Sequence, residues 1–422
     1  MTHVADRIAS PEALPRRRVS TFAALRHRDF FFLWLSILFA SATFWLEQVV
    51  LAWVVYDLTD SPLLVGAITG MRGLPFLFVG PVAGVIADRA SRKQVMVVSQ
   101  VIILAFYLGL LAMLWFGQIA IWHLFVFSFG SAVAWSFNQP ARNSLVQVLV
   151  PREELMNAVA LQTMGQNITR ILGPSAAGFL LATVGVPVTF LWVTAVLAGV
   201  MAATLLVRVP PIVVTTAHRG AQGVWRELGE GFAYVRDHQE LLGLMLMALV
   251  PIVLGMSFLG LLPIFARDIF QMDARGVGEL LAVGGVGSMV ATLALASLSD
   301  RVRHRGALLL WNGVALGAAL VAFAVSPIYP LSLVLMLLVG LFSMAQIVIT
   351  SSEIQMLTPP EYMGRVMSIY MLDRGLMPVG SFAAGALAQW AGAPVSMAIM
   401  GTLCLLLVGL GAVALPGVRR LD

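Results

Sequence analysis

Gly84-Val85-Ile86-Ala87-Asp88-Arg89-Ala90-Ser91-Arg92-Lys93 returns 212 residues later, Asp88 to Asp300, as Ala296-Ser297-Leu298-Ser299-Asp300-Arg301-Val302-Arg303-His304-Arg305. An acid, an arginine and further basic groups recur at matching offsets. Each copy follows the second apolar segment of its half, and the chain on either side is hydrophobic. A polar motif repeated in this setting implies a duplicated membrane bundle.

Composition agrees. Of the 422 residues 59% are hydrophobic and 11% charged, against about 25% charged in soluble domains, so a water-soluble fold could not cover its own core. The formal charge of +5 does not indicate nucleic acid. The arginines are not gathered on one face with aromatics between them but lie between apolar segments, as membrane orientation requires. One cysteine, Cys404, sits in an apolar run. It excludes an internal disulfide and a cysteine metal site and reads as a small core residue.

A helix crossing the bilayer needs about 20 largely apolar residues. Twelve such stretches are expected, near 30–56, 62–87, 94–116, 119–149, 157–183, 188–207, 241–265, 277–298, 306–325, 331–356, 366–390 and 395–415. The fold class is therefore an all-α membrane protein of twelve transmembrane helices in two pseudo-symmetric six-helix bundles. The expected organisation is a basic tail (1–29), a first bundle (30–208), a linker (209–240), a second bundle (241–416) and a short tail (417–422). No small-residue cleavage site accompanies the first stretch, so it is not read as a signal peptide.

Counting Lys and Arg by connection orients the chain. With both termini cytoplasmic, 21 of the 26 fall on the cytoplasmic side, Arg142 included; Arg267 and Arg275 fall opposite, and Arg72, Arg170 and Arg374 lie inside spans. That bias places the chain in the cytoplasmic membrane as a multi-pass protein. In the linker, Pro210-Pro211 ends the sixth helix. Trp225, Leu228, Phe232 and Val235 then recur at helical spacing among charged residues, which reads as an amphipathic surface helix or, alternatively, as a solvated linker.

The repeat extends further. Pro151-Arg152-Glu153-Glu154-Leu155-Met156 precedes the fifth stretch and Pro359-Pro360-Glu361-Tyr362-Met363-Gly364 the eleventh; within those stretches Gly173 and Gly178 correspond to Gly380 and Gly385. Six helices twice in the same order suit halves related by an axis along the membrane normal. On the Gly84 to Lys93 stretch the chain resembles the major facilitator superfamily of transporters over nearly its whole length. On Leu25-Arg26-His27-Arg28-Asp29-Phe30 with Leu33-Trp34, on Tyr56-Asp57-Leu58-Thr59-Asp60-Ser61, and on Thr358-Pro359-Pro360-Glu361 with Met363-Gly364-Arg365, it is similar to the enterobactin-exporter and macrolide-efflux branch.

The resemblance implies that Asp88 meets the start of the eleventh helix, near Gly364 and Arg365, when a cytoplasmic gate is shut. An acid beside a helix N-terminus is stabilised by roughly 0.3–2 kcal/mol. Arg89, Arg92 and Lys93 would hold nearby acids or lipid phosphates, or serve only as positive-inside anchors; Asp300 and Arg301 repeat the arrangement with Ala296 in place of Gly84. Gly173-Pro174-Ser175-Ala176-Ala177-Gly178 resembles the helix-bending signature of the antiporter members, with small-residue packing as the alternative. The helix-4 arginine of many drug antiporters is absent from residues 122–137.

Charges inside a bilayer point to mechanism, since each costs about 2.5–3.5 kcal/mol unless paired or hydrated. Glu47, flanked by Trp45 and Gln48, is expected to carry the proton or bind a cationic substrate. Arg170, beside Gln166 and Asn167, is expected to partner it or to serve as an anion site. Arg72 lines the cavity or reaches the outer interface. Asp373 and Arg374 are candidates to pair with Glu353, and Arg142, after Pro140, is read as snorkelling to the cytoplasmic surface.

An ATP-driven pump needs a phosphate-loop lysine, and the lone lysine, Lys93, follows Arg92 rather than glycine. Neither His-Glu-x-x-His nor Gly-x-Ser-x-Gly occurs, so an enzyme is not expected. Nor are a cofactor or a metal. The expectation is a monomeric secondary transporter whose partners are an amphipathic small molecule, protons and membrane lipids, working by export. Uptake of a small solute is the alternative; a channel or non-transporting receptor is the alternative from another class.

Overall fold

The computed structural model describes residues 22–79, 91–209, 221–298, 304–359, 361–414 and 416–419, and among them every regular element is helical. Gly84, Asp88, Arg89, Asp300 and Arg301 lie outside the described residues.

Among the described residues eight helices are long and apolar enough to cross a membrane. One, Leu155–Leu206, has 52 residues, about 78 Å at 1.5 Å per residue and over twice a ~30 Å hydrocarbon core. It is a hairpin. Gly185 leaves helical dihedrals at φ 76°, ψ 177°, a region that only glycine occupies readily. Leu161 on one arm and Thr204 on the other reach the same stretch of the first helix, through Trp34 and Ser36.

Three further expected crossings are not single long apolar helices among the described residues. Ile121–Leu149 carries Asn138, Gln139, Arg142 and Gln147 in its second half. Pro62–Met71 stops and restarts as Leu74–Phe78. The eleventh consists of Met363–Met371 and Met377–Ala391, joined by the 3-10 turn Leu372–Leu376 that holds Asp373 and Arg374. The described parts of spans 1 to 12 are accordingly Arg28–Thr59, 62–78, Arg92–Trp115, Ile121–Leu149, the two arms of Leu155–Leu206, Gln239–Ile269, Ala274–Leu298, Arg305–Val325, Tyr329–Leu357, 363–391 and Ala393–Ala414.

The duplication reaches individual backbone torsions. Asp60 after span 1 (φ 47°) and Gln271 after span 7 (φ 53°) are the described non-glycine residues with positive φ; Gly185 after span 5 and Gly392 after span 11 (φ 87°) stand at the same interval as Gly178 and Gly385. These turns share the end away from the termini, called here the far end.

Two glycine seams join the halves. Span 2 packs along span 11 and span 5 along span 8. A Cβ at Gly66 would stand 2.4 Å from the Ser381 carbonyl oxygen and 3.0 Å from the Gly385 Cα; one at Gly178 would stand 2.7 Å from the Ala274 carbonyl oxygen and 3.0 Å from the Gly278 Cα. Gly66 and Gly278 are 212 residues apart, the interval of the opening motif. The seams are therefore two copies of one contact, in which bare backbones touch and dispersion supplies the attraction.

The apolar core divides along the bilayer normal. At the far end one cluster draws on both halves, from Leu46, Ile103, Phe127 and Leu181 to Phe258, Leu280, Phe323 and Met397. At the near end each half has its own: Phe30, Leu33, Met96, Leu145 and Leu161 in the first, and Leu241, Leu244, Leu309, Ile349, Val366 and Cys404 in the second. Span 7 is the irregular one, with π turns at Pro251–Gly255 and Phe265–Ile269 around a 3-10 turn. It is also the most enclosed of the long spans, with 67% of its apolar window buried, and buried surroundings are where lipid tolerates a broken helix.

The linker contains the expected helix, Ala221–Asp237. It does not lie free on the surface. Tyr234 stacks on Tyr362 at 4.2 Å, and a Cβ at Gly231 would stand 2.9 Å from Ile369 Cδ1, so it rests on the start of span 11.

Candidate functional site

Glu47 faces the interior of the first half and is 1% exposed. The Tyr107 hydroxyl, from span 3, donates to Glu47 Oε2. Arg72, at the end of Pro62–Met71, places Nη2 3.3 Å from Glu47 Oε1 and donates through Nη1 to Gln48 Oε1 at 2.9 Å. Tyr107 stacks on Phe190 at 5.5 Å and meets Phe127 edge-on at 5.0 Å, which fixes its hydroxyl on the carboxylate. The pair is thus closed by three spans. Removing one member of such a buried pair costs about 3–5 kcal/mol because it strands the other.

This corrects one expectation: the partner of Glu47 is Arg72, not Arg170. Arg170 lies elsewhere. Its guanidinium stands 5.3 Å over the Trp45 ring, and its Nη1 is 3.8 Å from Met344 Sδ of span 10. Pro174 offers no N–H to the Arg170 carbonyl, and that oxygen lies against Gly285 of span 8. Gln166 and Asn167, one turn earlier, are half-buried, and Ser41 bonds Thr169 at 2.6 Å. The backbone stays helical through Gly173 and Pro174 and breaks only at Gly185. A Cβ at Gly173 would stand 2.8 Å from Trp45 Cβ, so span 5 packs closely on span 1 at this motif.

Arg142 is a second correction. It does not snorkel to the surface: it is 4% exposed, stands 5.5 Å over the Trp135 ring, and its Nε and Nη2 find no hydrogen-bond partner among the described residues. In the second half Glu353 pairs with Arg305 at 3.5 Å. The side chains of Asp373 and Arg374 are not among those described.

Residues 19–422 match the model of the transmembrane secretion effector family, a group of the major facilitator superfamily. The chain belongs to this family. It is similar to macrolide efflux protein A of Streptococcus pyogenes, 23% identical over 93% of this chain and 97% of that one, and to the staphyloferrin A transporter of Staphylococcus aureus, 25% identical over 86% and 91%. Its fold is that of the nucleoside transporter NupG, with a TM-score of 0.77 at 11% identity over 91% of this chain and 99% of that one. This transmembrane secretion effector is a multi-pass transporter of an efflux-type family, not an enzyme.

The ends of the transporter carry different polar contacts. At the far end the Tyr56 hydroxyl donates to Asp268, Arg267 pairs with Asp60 at 3.0 Å, and the Arg267 guanidinium lies 5.3 Å from the Tyr56 ring centroid. Tyr56 and Asp268 close the far ends of spans 1 and 7, so corresponding ends of the two halves meet across the pseudo-twofold axis. Sequence reading missed this cluster, although Asp60 and Arg267 sit at matching turns. At the near end Lys93 donates to the Leu205 and Val207 carbonyls at 2.9 and 2.6 Å, capping span 6. Arg92 opens span 3 beside it. Arg365, the expected neighbour of Asp88, pairs with Glu230 of the linker helix at 3.3 Å.

Proposed function

We propose that this transmembrane secretion effector exports an amphipathic small molecule across the cytoplasmic membrane in exchange for protons, by alternating access. The observation that carries the reading is the divided core: one cluster closes the far end across both halves, while the near end holds two separate clusters. Glycine seams let such halves roll without unpacking side chains. The Lys and Arg bias supports a cytoplasmic near end with both termini there, and moving Arg142 into the interior leaves it at 20 to 2. The arrangement is then open to the cytoplasm and shut outside.

The moving bodies are residues 30–208 and 241–416, tied by the 209–240 linker, with tails 1–29 and 417–422 in the cytoplasm. Glu47 is the proton carrier. When it takes a proton, Arg72 loses its counter-charge and keeps Gln48 as acceptor, which changes what span 2 holds against span 1 and hence the seam to span 11. A monomer suffices, since both halves and both seams lie in one chain.

The test uses purified protein in proteoliposomes, an imposed proton gradient and a panel of fluorescent amphiphiles. Export predicts accumulation against the proton flow, and movement with the protons would mean uptake. Gradient-independent leak would mean a channel. Glu47→Gln should fold, as judged by its gel-filtration profile, and lose the pH dependence of transport; unchanged coupling rejects the carrier role.

A further inference from the structure

We propose that Arg170 anchors the transported molecule through an oxyanion, carboxylate or phosphate, so that the substrate is an amphiphile of negative rather than positive charge. The inference rests on the export reading for its role in transport, while the site itself is open to a binding test.

Position comes first. Four elements converge on Arg170, close to the level where the shared core splits. Along span 1 the split lies between Ile37 and Ala40; along span 5, between Leu161 and Ala177; along span 8, between Leu281 and Ala291; along span 10, between Val339 and Ala345. Arg170, Gly285 and Met344 fall in those intervals, and Trp45 lies just past the split on the far-end side. Arg170 therefore stands at the head of the cleft between the bundles and touches both.

Its partners are the second observation. A guanidinium carries five N–H donors and no acceptor. Arg170 meets an indole face and a thioether, which are soft and neutral, and no carboxylate among the described residues. Gln166 and Asn167, at i−4 and i−3, share its face and supply amide donors. Planar fork geometry suits a carboxylate or phosphate, and Trp45 with the adaptable Met344 suits an apolar body.

Charge accounting gives the sign. Glu47 is answered by Arg72 and Glu353 by Arg305. Asp373 and Arg374 are adjacent and cancel in formal charge. Arg170 and Arg142 remain, the latter with two sealed nitrogens unsatisfied. An interior of low dielectric magnifies this excess of positive charge, which attracts anions and repels cations.

The test is saturable quenching of tryptophan emission in the full-length protein, held in lipid nanodiscs, by four probes of one shape: pyrenebutanoate, pyrenebutyl phosphate, pyrenebutanol and pyrenebutylammonium. At least one anion should bind about tenfold or more tightly than the alcohol and the ammonium, and the tighter anion names the source. Arg170→Gln should abolish that preference and Arg170→Lys, which keeps the charge, should retain part of it. Equal or tighter ammonium binding, or a preference unchanged in Arg170→Gln, overturns the proposal. In proteoliposomes, an anion that binds through Arg170 but ignores the proton gradient would refute export and leave this site standing; gradient-driven flux of the ammonium probe undiminished in Arg170→Gln would do the reverse.

Discussion

At the far end the halves meet through Tyr56 on Asp268 and through two equivalent seams, Gly66 beside Gly385 and Gly178 beside Gly278. At the near end they keep separate cores, and the linker helix occupies the start of span 11 through Glu230 and Tyr234. Two copies of one bundle, inverted by nothing but an axis along the membrane normal, give each end the same raw material. That one end is sealed and the other divided marks one of two alternative packings of the same parts.

The seams offer the strongest way to break this contrast. Gly66→Val drives a branched side chain into the Ser381 carbonyl and should destabilise the far-end-closed packing by about 1–3 kcal/mol, roughly a 5- to 150-fold population shift. Far-end cysteine probes should become reactive and transport should stall. Gly278→Val should match it; a full effect at one glycine and none at the other would break the duplication. Next is Asp268→Asn, which removes the charged acceptor of Tyr56. The expected loss is about 1 kcal/mol, read as faster far-end labelling with near-end labelling slowed. The smallest effect belongs to Glu230→Gln, whose half-exposed pair with Arg365 is worth at most about 1 kcal/mol. It should raise the mobility of a spin label on the linker helix and leave the far end unmoved.

Reading the chain alone reached the twelve spans, the duplication and the family resemblance, because apolar length and a repeated polar motif are local signals. It flagged Gly178 and Gly385 but not their opposites, Gly278 and Gly66, since a seam glycine looks like any other until its partner helix is placed. Glu47 was legible as a costly charge, yet its cation, Arg72, lies 25 residues on in the next span, where only packing decides which arginine arrives. Arg142 misled because seven residues from a helix end is within snorkelling reach; its burial over Trp135 depends on how span 4 is rotated. Glu353 took Arg305 from the start of span 9 for the same reason.

The central claim, that the halves rock so that the two ends open in alternation, meets its most direct test in paired spin-label distances on a Cys404→Ser background. One pair, Glu153→Cys with Glu361→Cys, spans the near end at equivalent exposed positions; the other, Gln118→Cys with Pro327→Cys, spans the far end. On adding a transported amphiphile and shifting pH, the near-end distance should shorten as the far-end distance lengthens. Both distances changing in the same sense, or neither changing while transport proceeds, would contradict the account.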